Sequence, residues 1–126
     1  LDIRPVANPQ AGKIALLANS VDMIVSDWIW VSRQRSSGFD ISFYPYSNTA
    51  GTLLVNKHSN IANLQDPKNK RLGIAGGELD KNWLLLVALA KKQNLDLDSS
   101  VEKIFAAPPL LSQQLLNNRL DAILTY

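Results

Sequence analysis

Short apolar runs alternate with helix-like segments along most of the chain. Runs typical of strands occur at six places: residues 3–7, 21–25, 41–46, 52–55, 101–106 and 121–125. Apolar positions at helical spacing predict helices at four places: residues 11–18, 28–35, 80–93 and 110–117, with a shorter helix pattern at 61–64. Strands that alternate with helices predict an α/β fold with a parallel sheet covered on both faces.

The most informative stretch is residues 71–83, which read RLGIAGGELDKNW. An apolar run meets Gly76-Gly77, and an apolar helix pattern follows, which predicts a strand, a glycine turn and a helix N-terminus. Such a loop points several backbone N–H groups outward and suits an anion or a polar ligand. Many α/β proteins use Gly-Gly only to turn a strand into a helix, so the pattern leaves both interpretations open. The helix is apolar nearly all round over 83–90, which predicts burial on more than one side.

One pattern occurs twice, at a constant offset of 99 residues. LLANSVDMIVSD at 16–27 aligns with LLNNRLDAILTY at 115–126, with five identical pairs, and two further pairs lie upstream at Ala7/Ala106 and Pro9/Pro108. The repeat predicts two similar α/β lobes: residues 1–55 form part of lobe one, 56–70 the polar crossover or hinge segment, and 71–126 part of lobe two. The alternative is that connections between helices and strands look alike in general.

Composition and charge narrow the function classes. The 126 residues are 46% hydrophobic and 19% charged, as in a globular protein. A formal charge of +2 with scattered Lys and Arg disfavours nucleic acid as a partner. No apolar run approaches the roughly 20 residues of a membrane helix. With no Cys and one His, no nucleophile–base pair or metal-ligand set can be assigned, so we predict no catalytic residue, no metal and no cofactor.

Four phrases, in this order and spacing, resemble one protein family: ALLANSVDMIVSD, GTLLVNKHSNIANLQDPKNKRLGIAGG, LLLVALAKKQNLDLD and PPLLSQQLLNNRLDAILTY. They are similar to an interior piece of the ABC-transporter substrate-binding proteins of the nitrate/sulfonate/taurine and thiamine-precursor (NMT1/THI5-like) type. The likeness covers nearly the whole chain. The chain starts without Met in a strand-like segment and stops after an apolar run, so we expect a fragment of a longer protein.

The resemblance implies a type II periplasmic-binding-protein-like α/β fold, here partial, with two lobes around a ligand cleft. The carboxyl ends of the strands would face that cleft, in line with the general rule for open α/β sheets. It also implies a solute-binding component of an ABC importer, not an enzyme, that captures a small polar ligand. Its partner would be a membrane permease, and its location periplasmic or lipid-anchored and extracytoplasmic.

The loops that follow the predicted strands supply the candidate ligand-binding residues. In lobe one these are Asn8, Ser26, Asp27, Trp28, Asn48 and Thr49, and in lobe two Gly76, Gly77, Glu78, Asp80, Pro108 and Tyr126. Helix N-termini among these loops suit sulfonate, carboxylate or phosphate.

The acidic residues in the same loops leave the charge of the ligand open. Asp27, Glu78 and Asp80 would repel an anion. Either they cap helices and need no ligand, or they pair with a cationic or amine-bearing ligand. Trp28 and Tyr126 could stack on a flat ligand, whereas Trp83, at the head of an apolar helix, is more typical of a core residue.

Two other functions fit the same fold. A thiamine-pyrimidine synthase would use it for catalysis, but the cysteine-rich motif of that family is absent here. The effector-binding domain of a transcription regulator would need a helix-turn-helix upstream. A signal peptide or lipobox upstream would favour transport. In a transport protein the two lobes would close on the ligand by hinge motion near residues 55–58.

Overall fold

The computed structural model describes residues 2–48, 50–67 and 69–126. The chain forms two compact units, Leu1–Asn48 and Thr49–Tyr126. Candidate residue Thr49 lies outside the described residues.

The first unit is built on two helices, α1 (Pro9–Leu17) and α2 (Trp28–Ser36). Both begin where the sequence supplies a capping side chain. Asn8 Oδ1 accepts a hydrogen bond from Ala11 N at 2.9 Å, and Asp27 Oδ1 accepts one from Trp30 N at 2.8 Å. Such caps satisfy N–H groups that have no partner inside the helix.

The three strands predicted in the first unit are not formed in residues 2–48 as described, so that prediction was wrong. Segments 3–7, 21–25 and 41–46 make no strand ladder, and several of their apolar side chains are strongly exposed, among them Ile3, Met23, Val25, Tyr44 and Tyr46. An alternating pattern favours an extended segment, but a strand also needs a neighbour whose N–H and C=O groups pair with its own. The described part of this unit supplies no such neighbour.

The second unit contains a four-stranded sheet in the order β1-β4-β2-β3. Its strands are β1 (Thr52–Val55), β2 (Arg71–Ala75), β3 (Glu102–Ala106) and β4 (Ala122–Thr125). β2 is parallel to both β3 and β4, whereas β1 pairs antiparallel with β4.

The prediction of a parallel sheet is therefore correct for three strands and wrong for β1. Val55 and Leu72 both pair with Ala122, so β1 ends and β2 begins at the same edge of the sheet. The 56–70 segment consequently does not have to cross the sheet, as it would between parallel strands. β1 is a strand of the second unit, although our division by sequence assigns residues 52–55 to lobe one. The two lobes themselves remain a prediction.

The sheet of the second unit buries both faces. α3 (Lys81–Lys92) and α4 (Leu97–Ser100) cover one face and α5 (Pro108–Leu116) the other. Alternation along β2 sends Leu72 and Ile74 to the α3 side and Ala75 to the α5 side. Trp83 is buried in the α3-side core, as predicted.

A close approach of α5 to the sheet requires glycine at position 73 of β2. A Cβ built there would lie 2.7 Å from Leu120 Cδ1 and 2.8 Å from Leu111 Cδ2. Real Cβ atoms essentially never come this near to other heavy atoms. Any larger residue at position 73 would therefore force the buried Leu111 and Leu120 side chains to shift.

Two helix predictions need correction. Leu85 and Leu89 of α3 are exposed, so the helix is buried on one side and not on several, and its buried residues pack against the sheet. The helix predicted at 61–64 is replaced by turns held by Asp66, whose Oδ2 accepts from Ala62 N and Asn63 N. These local side-chain bonds compete with a helix for the same N–H groups.

The sequence repeat is reproduced at the level of a helix and its following turn. α1 and α5 each have nine residues and lie 99 positions apart. Asn19 and Asn118 both adopt a left-handed conformation with φ of 55°, which closes the two helices in the same way. Only the second copy continues into a strand, β4.

A salt bridge joins the first residue of β2 to the residue before β4. Arg71 Nε and Nη2 donate to the two carboxylate oxygens of Asp121 at 3.0 and 3.1 Å, and Arg71 N donates to Oδ2 at 2.8 Å. Asp121 N in turn donates to Arg71 O at 3.0 Å. The Arg71 hydrogen bonds hold the pKa of Asp121 below its usual value of 3.8.

Candidate functional site

The carboxyl ends of the three parallel strands of the second unit meet at one edge of the sheet. Ala75 of β2 pairs with Ala106 of β3, and β4 ends at Thr125 one residue beyond its pairing with β2. The loop at residues 76–80, the start of α5 and Tyr126 therefore follow neighbouring strand ends. The structure thus brings together six predicted site residues of this unit: Gly76, Gly77, Glu78, Asp80, Pro108 and Tyr126.

The glycine loop, residues 76–80, joins β2 to α3 at this edge. Gly76 has a φ of 126°, which residues with a side chain rarely adopt, and a Cβ there would lie 2.8 Å from Asp80 Oδ2. A Cβ at Gly77 would meet no atom within 4 Å, and Glu78 is exposed. The backbone at 77–78 thus faces open space, where a bound molecule can reach it.

Asp80 is committed to its own helix. It is the N-cap of α3, and its Oδ1 accepts from Asn82 N at 2.9 Å and from Trp83 N at 3.2 Å. The first N–H groups of α3 are therefore satisfied from within the chain. Of the two roles left open by sequence, capping is the one that the structure supports for Asp80.

The start of α5 is built differently. Its N-cap, Ala107, makes no side-chain capping bond, and the helix opens with Pro108 and Pro109, which have no N–H. Tyr126, at the end of β4 on the other side of β2, is exposed. The carboxyl edge of the sheet thus has an uncapped helix start after β3 and an exposed aromatic ring after β4.

In the first unit, Asp27 is likewise committed. Besides capping α2, its Oδ2 pairs with Lys13 Nζ at 3.3 Å, and the two side chains are only 15% and 14% exposed. Lys13 Nζ also lies 5.5 Å from the centroid of the Trp30 ring, within the range of a cation–π interaction. The carboxylate of Asp27 is thus neutralised by a neighbouring cation.

The other predicted residues of the first unit differ in their surroundings. Ser26 Oγ is buried without a hydrogen-bond partner in the described part of the chain, and Ser26 lines an open hollow of about 720 Å³. Trp28 and Asn48 are exposed, and the Asn8 side chain is used as the cap of α1. Among residues 2–48, 50–67 and 69–126, no group of three or more His, Asp or Glu side chains could hold a metal ion.

Three residues that matter for these loops were not among the sequence predictions. Lys13 neutralises Asp27, and Asn82 holds Gly51 through a hydrogen bond from Gly51 N to Asn82 Oδ1 at 3.0 Å. An Asn at the start of an otherwise apolar helix was the available signal for Asn82. Lys13 and Gly51 carry no local signal, because their partners are distant in sequence.

A mainly parallel sheet with helices on both faces and open loops at its carboxyl edge defines an α/β ligand-binding fold. The chain is similar to the solved structure of the periplasmic aliphatic sulphonate binding protein SsuA from Escherichia coli, with a TM-score of 0.52 and 17% sequence identity. The match covers 60% of this chain and 25% of that protein, so the chain spans only part of its structural relative. This likeness confirms the predicted periplasmic-binding-protein-like fold, in partial form.

A family model described as NMT1/THI5 like matches residues 1–126. The chain therefore belongs to the NMT1/THI5-like family, as the resemblance predicted. No curated protein matches the chain by sequence. Across the described residues, every helix is too short or too polar to cross a membrane.

Proposed function

We propose that the chain is part of the solute-binding component of an ABC importer and that it captures a small polar ligand. Family membership and the fold shared with a periplasmic binding protein support this role. The observation that carries the proposal is the convergence of the glycine loop, the start of α5 and Tyr126 at one edge of the sheet. Open α/β sheets bind ligands at this edge.

We assign ligand contact in the second unit to the backbone of Gly76, Gly77 and Glu78, with Pro108 after β3 and Tyr126 after β4 on either side of this loop. In the first unit, Ser26 with its unpartnered hydroxyl and Trp28 with its exposed ring stay predicted ligand contacts. The remaining candidates, Asn8, Asn48 and Thr49, stay predictions of the same kind.

The proposed ligand is anionic or neutral. Asp27 is paired with Lys13 and caps α2, and Asp80 caps α3, so both carboxylates have partners within the chain. Their capping bonds supply the anionic partner that a helix N-terminus favours, and we assign the N–H groups of Gly76, Gly77 and Glu78 to the ligand. Glu78 is exposed and can turn toward solvent.

Its partner would be a membrane permease. Its location would be extracytoplasmic, since the similar Escherichia coli protein is periplasmic. We propose no reaction for the chain. Nothing in the described residues favours the synthase or the regulator over solute binding.

Thermal-shift screening tests the proposal. The chain would be screened against four ligand classes: aliphatic sulfonates, nitrate, neutral pyrimidines and primary amines. A ligand at about 100 times its Kd stabilises a protein by about 2.7 kcal/mol, which is readily seen as a rise in Tm. We expect an anionic or neutral class to raise Tm and the variant Gly77→Glu to lose this rise, whereas Lys92→Glu at the far end of α3 should keep it. Stabilisation by amines alone would contradict the ligand charge, and no stabilisation by any class would contradict solute binding.

A further inference from the structure

Asn82 is the one polar residue among those described that is buried, at 7% exposure. It lies in the first turn of α3, and its Oδ1 accepts the hydrogen bond from Gly51 N at 3.0 Å. The two residues are 31 positions apart in sequence. The Asn82 side chain fixes the position of Gly51, because leaving a buried amide oxygen without a donor is unfavourable.

The backbone at Gly51 is also held by steric contact. A Cβ at this position would lie 2.6 Å from Asn82 Cγ and 2.7 Å from Thr125 O. The residue that leads into β1 is thus enclosed between the first turn of α3 and the last residue of β4. Only glycine fits there without a shift of the Asn82 side chain and the Thr125 backbone.

The same turn of α3 also holds the glycine loop. Asp80 Oδ1 accepts from Asn82 N, and Asp80 Oδ2 faces Gly76 closely enough that a Cβ there would be 2.8 Å away. Asp80 thus lies close beside Gly76 and is hydrogen-bonded to Asn82, which is hydrogen-bonded to Gly51. Gly51 lies just after the point where the chain passes from one compact unit to the other, between Asn48 and Thr49.

We propose that Asn82 is a positioning residue that couples the glycine loop to the segment entering β1, so that a change at the loop is transmitted to the connection between the two units. The value of this coupling for ligand capture rests on the proposed function, but the coupling itself belongs to the unliganded chain. With a rigid link of this kind, the glycine loop and the connection between the units would move together.

Residue-resolved amide hydrogen exchange by NMR, without any ligand, tests the coupling. Asn82→Leu removes the acceptor at similar volume, and we expect the Gly51 amide to exchange about tenfold faster or more. The amide resonances of residues 76–79 should shift in the same variant. Asn82→Asp keeps an acceptor oxygen and should restore both the exchange rate and the loop resonances. Amides of the central strands, such as Ile74 and Ile123, should be unchanged in both variants.

Three results would overturn the proposal: an unchanged Gly51 exchange rate in Asn82→Leu, equal acceleration of the central-strand amides, or an Asn82→Asp variant that behaves like Asn82→Leu. The unmodified chain gives a second measurement if Asn82→Leu does not fold. A scalar coupling across the hydrogen bond between Gly51 ¹⁵N and Asn82 ¹³Cγ is expected, and its absence would contradict the contact. Neither measurement uses a ligand, so both test the coupling even if the chain binds no solute.

Discussion

Replacing Asp121 by Asn should destabilise the second unit by removing the charge that Arg71 binds. Asp121 accepts three hydrogen bonds from Arg71, at 2.8, 3.0 and 3.1 Å. Hydrogen bonds to charged groups contribute about 1.5–3 kcal/mol when they are well shielded. The Arg71 and Asp121 side chains are 41% and 29% exposed, so solvent screens the pair, and Asn retains one acceptor oxygen. We therefore expect a loss of about 1–2 kcal/mol in the free energy of unfolding.

Urea unfolding measures this loss, and the fluorescence of the buried Trp83 reports on the second unit. Trp28 and Trp30 are replaced by Phe in every variant compared, so that Trp83 alone gives the signal. A destabilisation of this size corresponds to a fall in Tm of roughly 4–15 °C for a unit of this size. The matched control is Asp2→Asn, because the Asp2–Arg4 pair is largely exposed at both side chains. That variant should unfold at the same urea concentration as the unmodified chain.

The stabilisation that Asp121 provides should decrease at low pH. The pKa of Asp121 is held below 3.8 in the folded state by the Arg71 hydrogen bonds. Its contribution is therefore fully present above about pH 4–5 and is lost as pH falls through the lowered folded pKa. Asp66 and Asp96 also have lowered pKa values, but they are common to both proteins and cancel in the difference. The reasoning would be refuted if the unmodified chain and Asp121→Asn were equally stable at pH 7. It would also be refuted if the difference between their free energies of unfolding did not shrink between pH 6 and pH 3.

Two further changes test the packing of each unit. Gly73→Ala should lower the free energy of unfolding by about 1–3 kcal/mol in urea titrations, because its Cβ would overlap the Leu111 and Leu120 side chains. Gly77→Ala is the control, because its Cβ meets open space. If Gly73→Ala destabilised the chain no more than Gly77→Ala, the close approach of α5 would be contradicted. A double-mutant cycle with Lys13→Met and Asp27→Asn should give a coupling of about 0.5–3 kcal/mol in the free energy of unfolding, because both side chains are largely buried. A coupling near zero would show that the Lys13–Asp27 pair does not stabilise the first unit.

Features set by neighbouring residues could be predicted from the sequence. The glycine turn at 76–77 and the capping of α3 by Asp80, one of the two roles that the sequence left open, both depend on residues within one turn of a helix. The burial of Trp83 followed from its place on an apolar helix.

Features set by distant residues could not be predicted in the same way. The antiparallel direction of β1 depends on its pairing with β4, which lies about 70 positions further along the chain. The predicted strands at 3–7, 21–25 and 41–46 had the right local pattern but lack a pairing neighbour in the described residues. The same applies to the candidate site, where the Lys13–Asp27 and Gly51–Asn82 contacts join residues 14 and 31 positions apart.

The most direct test of the account is NMR mapping of ligand binding on the ¹⁵N-labelled chain. Ethanesulfonate, nitrate, cytosine and putrescine represent the four ligand classes and would be titrated separately. We predict that at least one of the first three shifts the amide resonances of the glycine loop, of Leu110 at the uncapped start of α5, and of Tyr126. The opposite edge of the sheet, at residues 56–58 and 118–121, should remain unchanged. Shifts confined to that opposite edge, or no shifts with any of the four, would contradict a ligand site at the carboxyl edge.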